Sequence, residues 1–314
     1  MSATTRDFYG FTSTVTYARL ILSACAKDPL PPGFVTPLPA RHAALTTIRH
    51  YFENFFVMYP LFEEASFYAS IDAVYSSDSD KSSLASPFDH FSVRMVLAIA
   101  HAGRMEQRGD GDYMSAIGHV SAALMHAEHV LRPGSLASVQ AMLLLHEYAM
   151  IDPHHFDSWG LIGAASRAMV DLGLHQDPPK STTISKAKLE LRRRVFWSVI
   201  NMDYGLAHSL GRSSCFAMSQ EHIDVKWYEC ADDHFITPEG VKPKAPQSLK
   251  KWISIHFHKM RLHQLEIRRK LYQKKRDTPK DENDPWFIEM ENKIQEWKDA
   301  SPEDTIGTGL DKAW

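Results

Sequence analysis

A chain of 314 residues, 44% apolar and 23% charged, can bury a real core, as one large domain or two modest ones. Its formal net charge of −3 supplies no overall attraction to nucleic acid or anionic lipid. Cys25, Cys215 and Cys230 have neither metal-ligand nor disulfide-framework spacing, so free thiols in a reducing compartment are expected, and the lack of a signal-like start or of any apolar run of about 18 residues argues against secretion and membrane spanning.

Residues 1–40 join a short apolar piece, Val15 to Cys25, to the proline cluster PLPPGFVTPLP, and read as a linker or lead-in. From Arg41 the pattern is helical almost throughout. Phe52, Phe55, Phe56 and Tyr59 lead to Pro60, which should stop the first helix. The stretch SSDSDKSSLAS reads as a loop. Ser86-Pro87-Phe88-Asp89 is a capping box with proline at the first helical position, and it opens a helix with Phe88, Phe91, Met95, Ala98, Ala102 and Met105 on one face. Tyr113, Ile117, Val120, Leu124, Ala127 and Leu131 recur at helical spacing and predict one further helix. Residues 136–150 are apolar on nearly every side, which predicts a central helix. The next helix runs from about Ser158 to Leu172, with Trp159, Ile162, Ala165, Met169 and Leu172 inward and Gly173-Leu174 as its stop.

The run from Leu189 to Ser214, LELRRRVFWSVINMDYGLAHSLGRSS, is the most informative segment. Leu191, Val195, Val199, Met202, Leu206 and Leu210 form an apolar stripe widened by Phe196, Ile200 and Ala207. Glu190 precedes Arg194 by four residues, the favourable order for an intrahelical pair. Asp203 sits at the stripe edge. Either it is buried and paired, with Arg212 beyond the helix-ending Gly211 as one candidate partner, or it is solvated and Arg192 to Arg194 form an exposed basic face. Residues 211–247 show no sustained period and read as a long irregular excursion. Ser248 restarts a helix with Ile253, Phe257, Met260, Ile267 and Leu271 on one side, and Asp284-Pro285 caps a last helix with Phe287, Met290, Ile294 and Trp297 inward. No alternating strand pattern occurs, so the expected fold is all-α: a bundle of packed antiparallel helix hairpins with no significant sheet.

Chemistry-bearing constellations are weak. Histidine is abundant, at 17 residues, but His119/His126/His129, His154-His155 and His256/His258/His263 lack the acidic partners and spacing of a zinc enzyme. No nucleophile elbow, phosphate loop or dinucleotide fingerprint is present, so no catalytic, cofactor or metal residue is assigned. Residues 250–276 carry ten Lys and Arg against the single acid Glu266. Within them Arg268, Arg269, Lys270, Lys274, Lys275 and Arg276 form a candidate nuclear-localisation stretch, weighed against a solvated helix face.

Five blocks in order, YFENFFVMYPLFEEASF (51–67), AMLLLHEYAM, WGLIGAASRAMVDLGLHQDP (159–178), the 189–214 run and EHIDVKWYE (221–229), resemble the regulatory region of fungal zinc binuclear cluster transcription factors, the fungal-specific transcription factor domain or middle homology region. The resemblance covers roughly residues 45–230 and makes Glu190, Arg193, Arg194, Phe196, Trp197, Asp203, Gly211 and Arg212 its structural signature. The chain departs from the family at Asp203-Tyr204, where Asp-Arg is common, and at Gly211-Arg212-Ser213, where Gly-Arg-Pro is. It also lacks the six-cysteine cluster that would hold zinc, so zinc is expected only in that missing module.

The resemblance implies a nuclear regulator of RNA polymerase II transcription whose DNA contact comes from a module or partner outside this chain. Coregulator proteins, a small-molecule effector and a second copy of the chain are its implied partners, and a membrane is not. Residues 1–40 are then a lead-in, 41–230 the core of the regulatory domain and 231–314 its C-terminal helical extension, clipped if the sequence is an expressed fragment or truncated product and whole if it is a natural regulator without the zinc motif. The alternative is a helical adaptor or corepressor-like protein that has lost DNA binding. A metal-dependent helical enzyme has the least support.

Overall fold

A computed structural model describes residues 16–76, 85–179, 182–215, 223–273, 279 and 281–301. Eleven α-helices appear among them: α1 (Tyr17–Cys25), α2 (Arg41–Asn54), α3 (Glu64–Ser76), α4 (Pro87–Ala102), α5 (Gly111–Leu124), α6 (Ala127–Val130), α7 (Leu136–Ile151), α8 (Ser158–Asp171), α9 (Lys186–Ser209), α10 (Leu249–Leu271) and α11 (Pro285–Asp299). The described residues contain no strand, only isolated bridges such as Gln176 with Asp224 and Ala231 with Gln247. The fold is all-α. Most of the serine-rich stretch expected as a loop lies outside the described residues.

Two compact units divide the chain, one of Met1–Tyr51 with Ser66–Leu172, the other of Phe52–Ala65 with Gly173–Trp314. In the first, α4 packs against α5 and α7, and α7 against α8. The capping box forms as read: Ser86 Oγ accepts from Asp89 N at 3.2 Å and Asp89 Oδ2 from Ser86 N at 2.7 Å, with Pro87 opening the helix. Every residue of α7 from Ser138 to Ala149 is buried, which makes it the centre of this unit. Each of its buried leucines contributes about 1.5–3 kcal/mol.

Several details correct the sequence reading. The single helix expected over 113–131 is two, because the chain turns at Met125-His126 and restarts as α6. Met105 lies past the end of α4. The lead-in holds α1, which lies against α6 and α8, and the following residues hydrogen-bond along the 152–157 loop (Lys27 N to His155 O, Asp28 N to His154 O).

In the second unit α9 packs on α10 and α10 on α11. The Phe52–Ala65 segment leaves α2 at Asn54, six residues before Pro60, and contributes Phe56, Val57, Leu61 and Phe62 to the core, with Val57 packed on Ile253. The apolar-stripe reading of α10 fails in part. Its buried residues are Lys251, Ile253, Ser254, His256, His258 and Leu265, whereas Phe257, Met260, Ile267 and Leu271 are half-buried. Polar groups are tolerated there because neighbouring elements supply their partners. On α11 only Met290 is buried and Ile294 is exposed.

Candidate functional site

Six of the eight signature residues lie on α9 and Gly211 and Arg212 just past its end; the residues of α9 from Arg193 to Ala207 are all buried. The three consecutive arginines go three ways, and none belongs to an exposed basic face. Arg192 donates Nη2 to the Gly173 carbonyl at 3.1 Å. Arg193 forks onto Asp177, Nε to Oδ1 at 3.0 Å and Nη2 to Oδ2 at 2.5 Å, and gives Nη1 to Glu190 Oε1 at 3.1 Å. Arg194, 1% exposed, gives Nη1 to the Phe62 carbonyl at 2.8 Å and to Asp233 Oδ2 at 3.2 Å. The expected Glu190–Arg194 pair is therefore replaced. Glu190 instead takes Lys186 at 3.0 Å and Arg193 on Oε1, and the Glu229 backbone N–H on Oε2 at 2.5 Å.

Asp233, which opens a one-turn 3₁₀ helix (Asp233–Phe235) before α10, is a second hub. Its carboxylate accepts from Arg194, from Lys251 Nζ at 2.7 Å and from the Glu64 backbone N–H at 3.1 Å, and Lys251 also donates to the Ala231 carbonyl at 2.5 Å. Burial alone would raise its pKa, but the Arg194 and Lys251 charges win and hold the carboxyl below its ordinary value. Burial and Arg194 pull Lys251 down despite Asp233. For Arg193 burial is the largest influence and opposes the charge, yet the Asp177 and Glu190 carboxylates outweigh it and raise the guanidinium.

Aromatic stacking closes the face between these hubs. Trp197 donates Nε1 to the Lys226 carbonyl at 3.1 Å and stacks on Trp227 at 3.8 Å and 17°, with Phe196 edge-on to it. His258 lies beneath, hydrogen-bonded to Asn201, and burial followed by the Arg261 charge lowers its pKa to about 3, so the ring is neutral.

Asp203, 1% exposed, is buried, which removes the solvated reading. Its Oδ2 takes the Ser214 hydroxyl at 2.5 Å and the Cys215 backbone N–H at 3.0 Å. Gly211 ends the helix at φ 66°, and Arg212 N donates to Ala207 O at 2.9 Å while Gly211 N donates to His208 O at 3.2 Å, a Schellman closure. The Arg212 side chain is exposed. Arg268, Arg269 and Lys270 lie in the last turn of α10, and Lys274, Lys275 and Arg276 lie outside the described residues.

Chemically, this arrangement clamps loops. Asp177, Glu190 and Asp233 each bridge α9 to a segment distant in sequence, and each is neutralised by cations. Among the described residues no three His, Cys, Asp or Glu side chains are grouped to hold a metal, and no helix is long and apolar enough to cross a membrane. Sequence reasoning missed Asp177, Asp233, Lys251 and Trp227 as partners. Asp177 ends the quoted helix-and-stop block just before Pro178, so a turn position was visible, whereas Asp233 and Lys251 carried no signal.

A family model described as the fungal specific transcription factor domain matches residues 48–299. The chain is 31% identical over 194 residues to the Fusaridione A cluster transcription factor of Fusarium heterosporum, covering 60% of this chain and 36% of that protein. It is 27% identical over 278 residues to an ABC-transporter-regulating transcription factor of Aspergillus oryzae, covering 85% and 29%. It is 24% identical to a positive regulator of purine utilization of Emericella nidulans, covering 84% and 32%. The chain thus spans about a third of the length of these relatives. No solved structure matches it.

Proposed function

The chain belongs to the fungal specific transcription factor domain family, and from that premise we propose that it is the regulatory region of a nuclear regulator of RNA polymerase II transcription. DNA contact comes from a zinc-cluster module or a partner outside the residues given, and zinc belongs there. The work of this chain is to be bound, by a coregulator, an effector or a second copy, and to respond through the packing around α9. The observation that carries the reading is the family match over residues 48–299, which takes in the buried Glu190, Arg193, Arg194 and Asp203 network. The likeness to relatives named as transcription factors supports it.

Disrupting the gene in the organism that encodes it should change transcript levels of a defined gene set. An unchanged transcriptome under every growth condition tried would overturn the proposal. In a mobility-shift assay the chain alone should bind DNA weakly and without sequence preference, with affinity falling as salt rises. Tight, sequence-specific binding would overturn the division of labour.

A further inference from the structure

We infer that the outer layer of the first unit, where α1 packs on α6 and α8, is a face on which a second copy of this chain docks about a two-fold axis. The inner side of α1 is Ala18, Ile21 and Cys25, all buried. On the outside, Leu20 of α1 is 54% exposed, Met125 at the turn into α6 72%, and Val170 in the last turn of α8 43%. Single apolar side chains on a surface are ordinary, but three large ones on adjoining elements mark a contact surface.

The register of α1 on α8 brings two of them to one side. A Cβ on Gly160 would stand 2.9 Å from Cys25 Sγ, and Tyr17 lies in the field of Asp171 and Arg167, so the two helices run antiparallel. Leu20, one turn on from Tyr17, therefore lies on the α8 side of α1, towards Val170. Charge names the occupant. Arg167 and Asp171 bracket Val170 at exposed positions, and neither has an ion-pair or hydrogen-bond partner among the described residues. Basic before acidic is the poorer order for an intrahelical pair four residues apart. A two-fold axis near Val170 would instead carry each copy's Arg167 to the other's Asp171. The other charged couple on this layer, Arg19 with Glu128 at 2.6 Å, is already satisfied within the chain. The two free charges beside the apolar residues thus cancel, which suits an identical face and offers nothing net to a strongly acidic or basic partner. Few side chains contribute, so the dimer is weak, with a Kd of about 10 µM.

What the dimer is for rests on the proposed regulatory function, in which a second copy is one partner; its formation does not. The test is sedimentation velocity of the full chain from about 1 to 100 µM, which brackets that Kd. Wild type should pass from monomer to dimer. Arg167→Glu and Asp171→Lys should each weaken self-association about tenfold, because each sets like charges against each other twice. Mixing these two variants pairs opposite charges at both contacts and should restore the dimer. Leu20→Ser with Val170→Ser should weaken it as well, at an unchanged melting temperature, since both positions are exposed. Arg49→Glu, at an exposed position of α2, should leave it unchanged. A chain that stays monomeric throughout, leaving the face to a different protein, overturns the inference. So does a dimer indifferent to Arg167→Glu, or a mixture that fails to restore association. A chain that dimerises in this way but leaves transcription untouched overturns the regulatory reading alone.

Discussion

Replacing Asp233 with alanine is the sharpest perturbation of the α9 network. It removes one carboxylate that accepts from Arg194, Lys251 and the Glu64 N–H, and it leaves side chains that are 1% and 4% exposed carrying charge without a counter-ion. Breaking a buried ion pair from one side costs about 3–5 kcal/mol. Asp233→Asn keeps the shape but removes the counter-ion as well, so it should cost nearly as much, about 3 kcal/mol. Adding Lys251→Met to Asp233→Ala removes the second uncompensated charge and should recover about 1–3 kcal/mol. Urea unfolding followed by tryptophan fluorescence reads this directly, because the Trp197–Trp227 stack lies in the same unit. Asp233 has a folded pKa below its ordinary 3.8, so its contribution is complete above that value and is lost as pH falls through the folded one. The gap between wild type and Asp233→Ala should be full at pH 7 and shrink in acid. A gap under about 1 kcal/mol at pH 7, or a double variant no more stable than Asp233→Ala, would refute the reasoning.

Glu147 on α7 is buried, with Tyr51 Oη 3.3 Å away, and burial pushes its carboxyl up to about 8. The folded chain keeps this proton where the unfolded chain releases it above 4.5, so its contribution to stability falls as pH rises from 4.5 to 8. Glu147→Gln should therefore gain on the order of 1–3 kcal/mol at pH 7.5 and much less at pH 5; equal gains at the two pH values would contradict this. Gly118→Ala puts a Cβ 1.9 Å from Thr36 Oγ1 and 2.7 Å from Thr36 N, so backbone must move, and a loss of about 1–3 kcal/mol is expected by denaturant titration. Gly211→Ala strains the φ 66° closure of α9 and should cost about 1 kcal/mol, with Gly211→Asn costing less; equal losses would argue against the left-handed cap.

Helix starts and stops were the most legible part of this chain because caps are local. Ser86, Asp284-Pro285, Gly173 and Gly211 each mark a boundary through chemistry confined to a few residues. Burial of α7 was legible because it is apolar all round. The ion network was not. Arg193 reaches Asp177 and Arg194 reaches Asp233 across 16 and 39 residues, through loops that have no period to read. Local spacing instead favoured Glu190 with Arg194, a pair lost because Arg193 lies closer to Glu190 and Arg194 is drawn to Asp233 and the Phe62 carbonyl. On α10 the apolar stripe misled for the same reason: Lys251 is buried against Asp233, His258 against Asn201, and His256 between Trp252 and Trp297. The role of Gly205 was equally hidden, since it shows its purpose only once Arg261 lies across it.

Fusing the chain to an unrelated DNA-binding domain and reading a reporter gene bearing that domain's site asks whether it regulates transcription through what binds it. Transcription should shift severalfold from the DNA-binding domain alone, up or down, and the shift should vanish when Asp233→Ala opens the α9 network. Reporter output indistinguishable from the bare DNA-binding domain, with the fusion folded and present in the nucleus, would contradict the account.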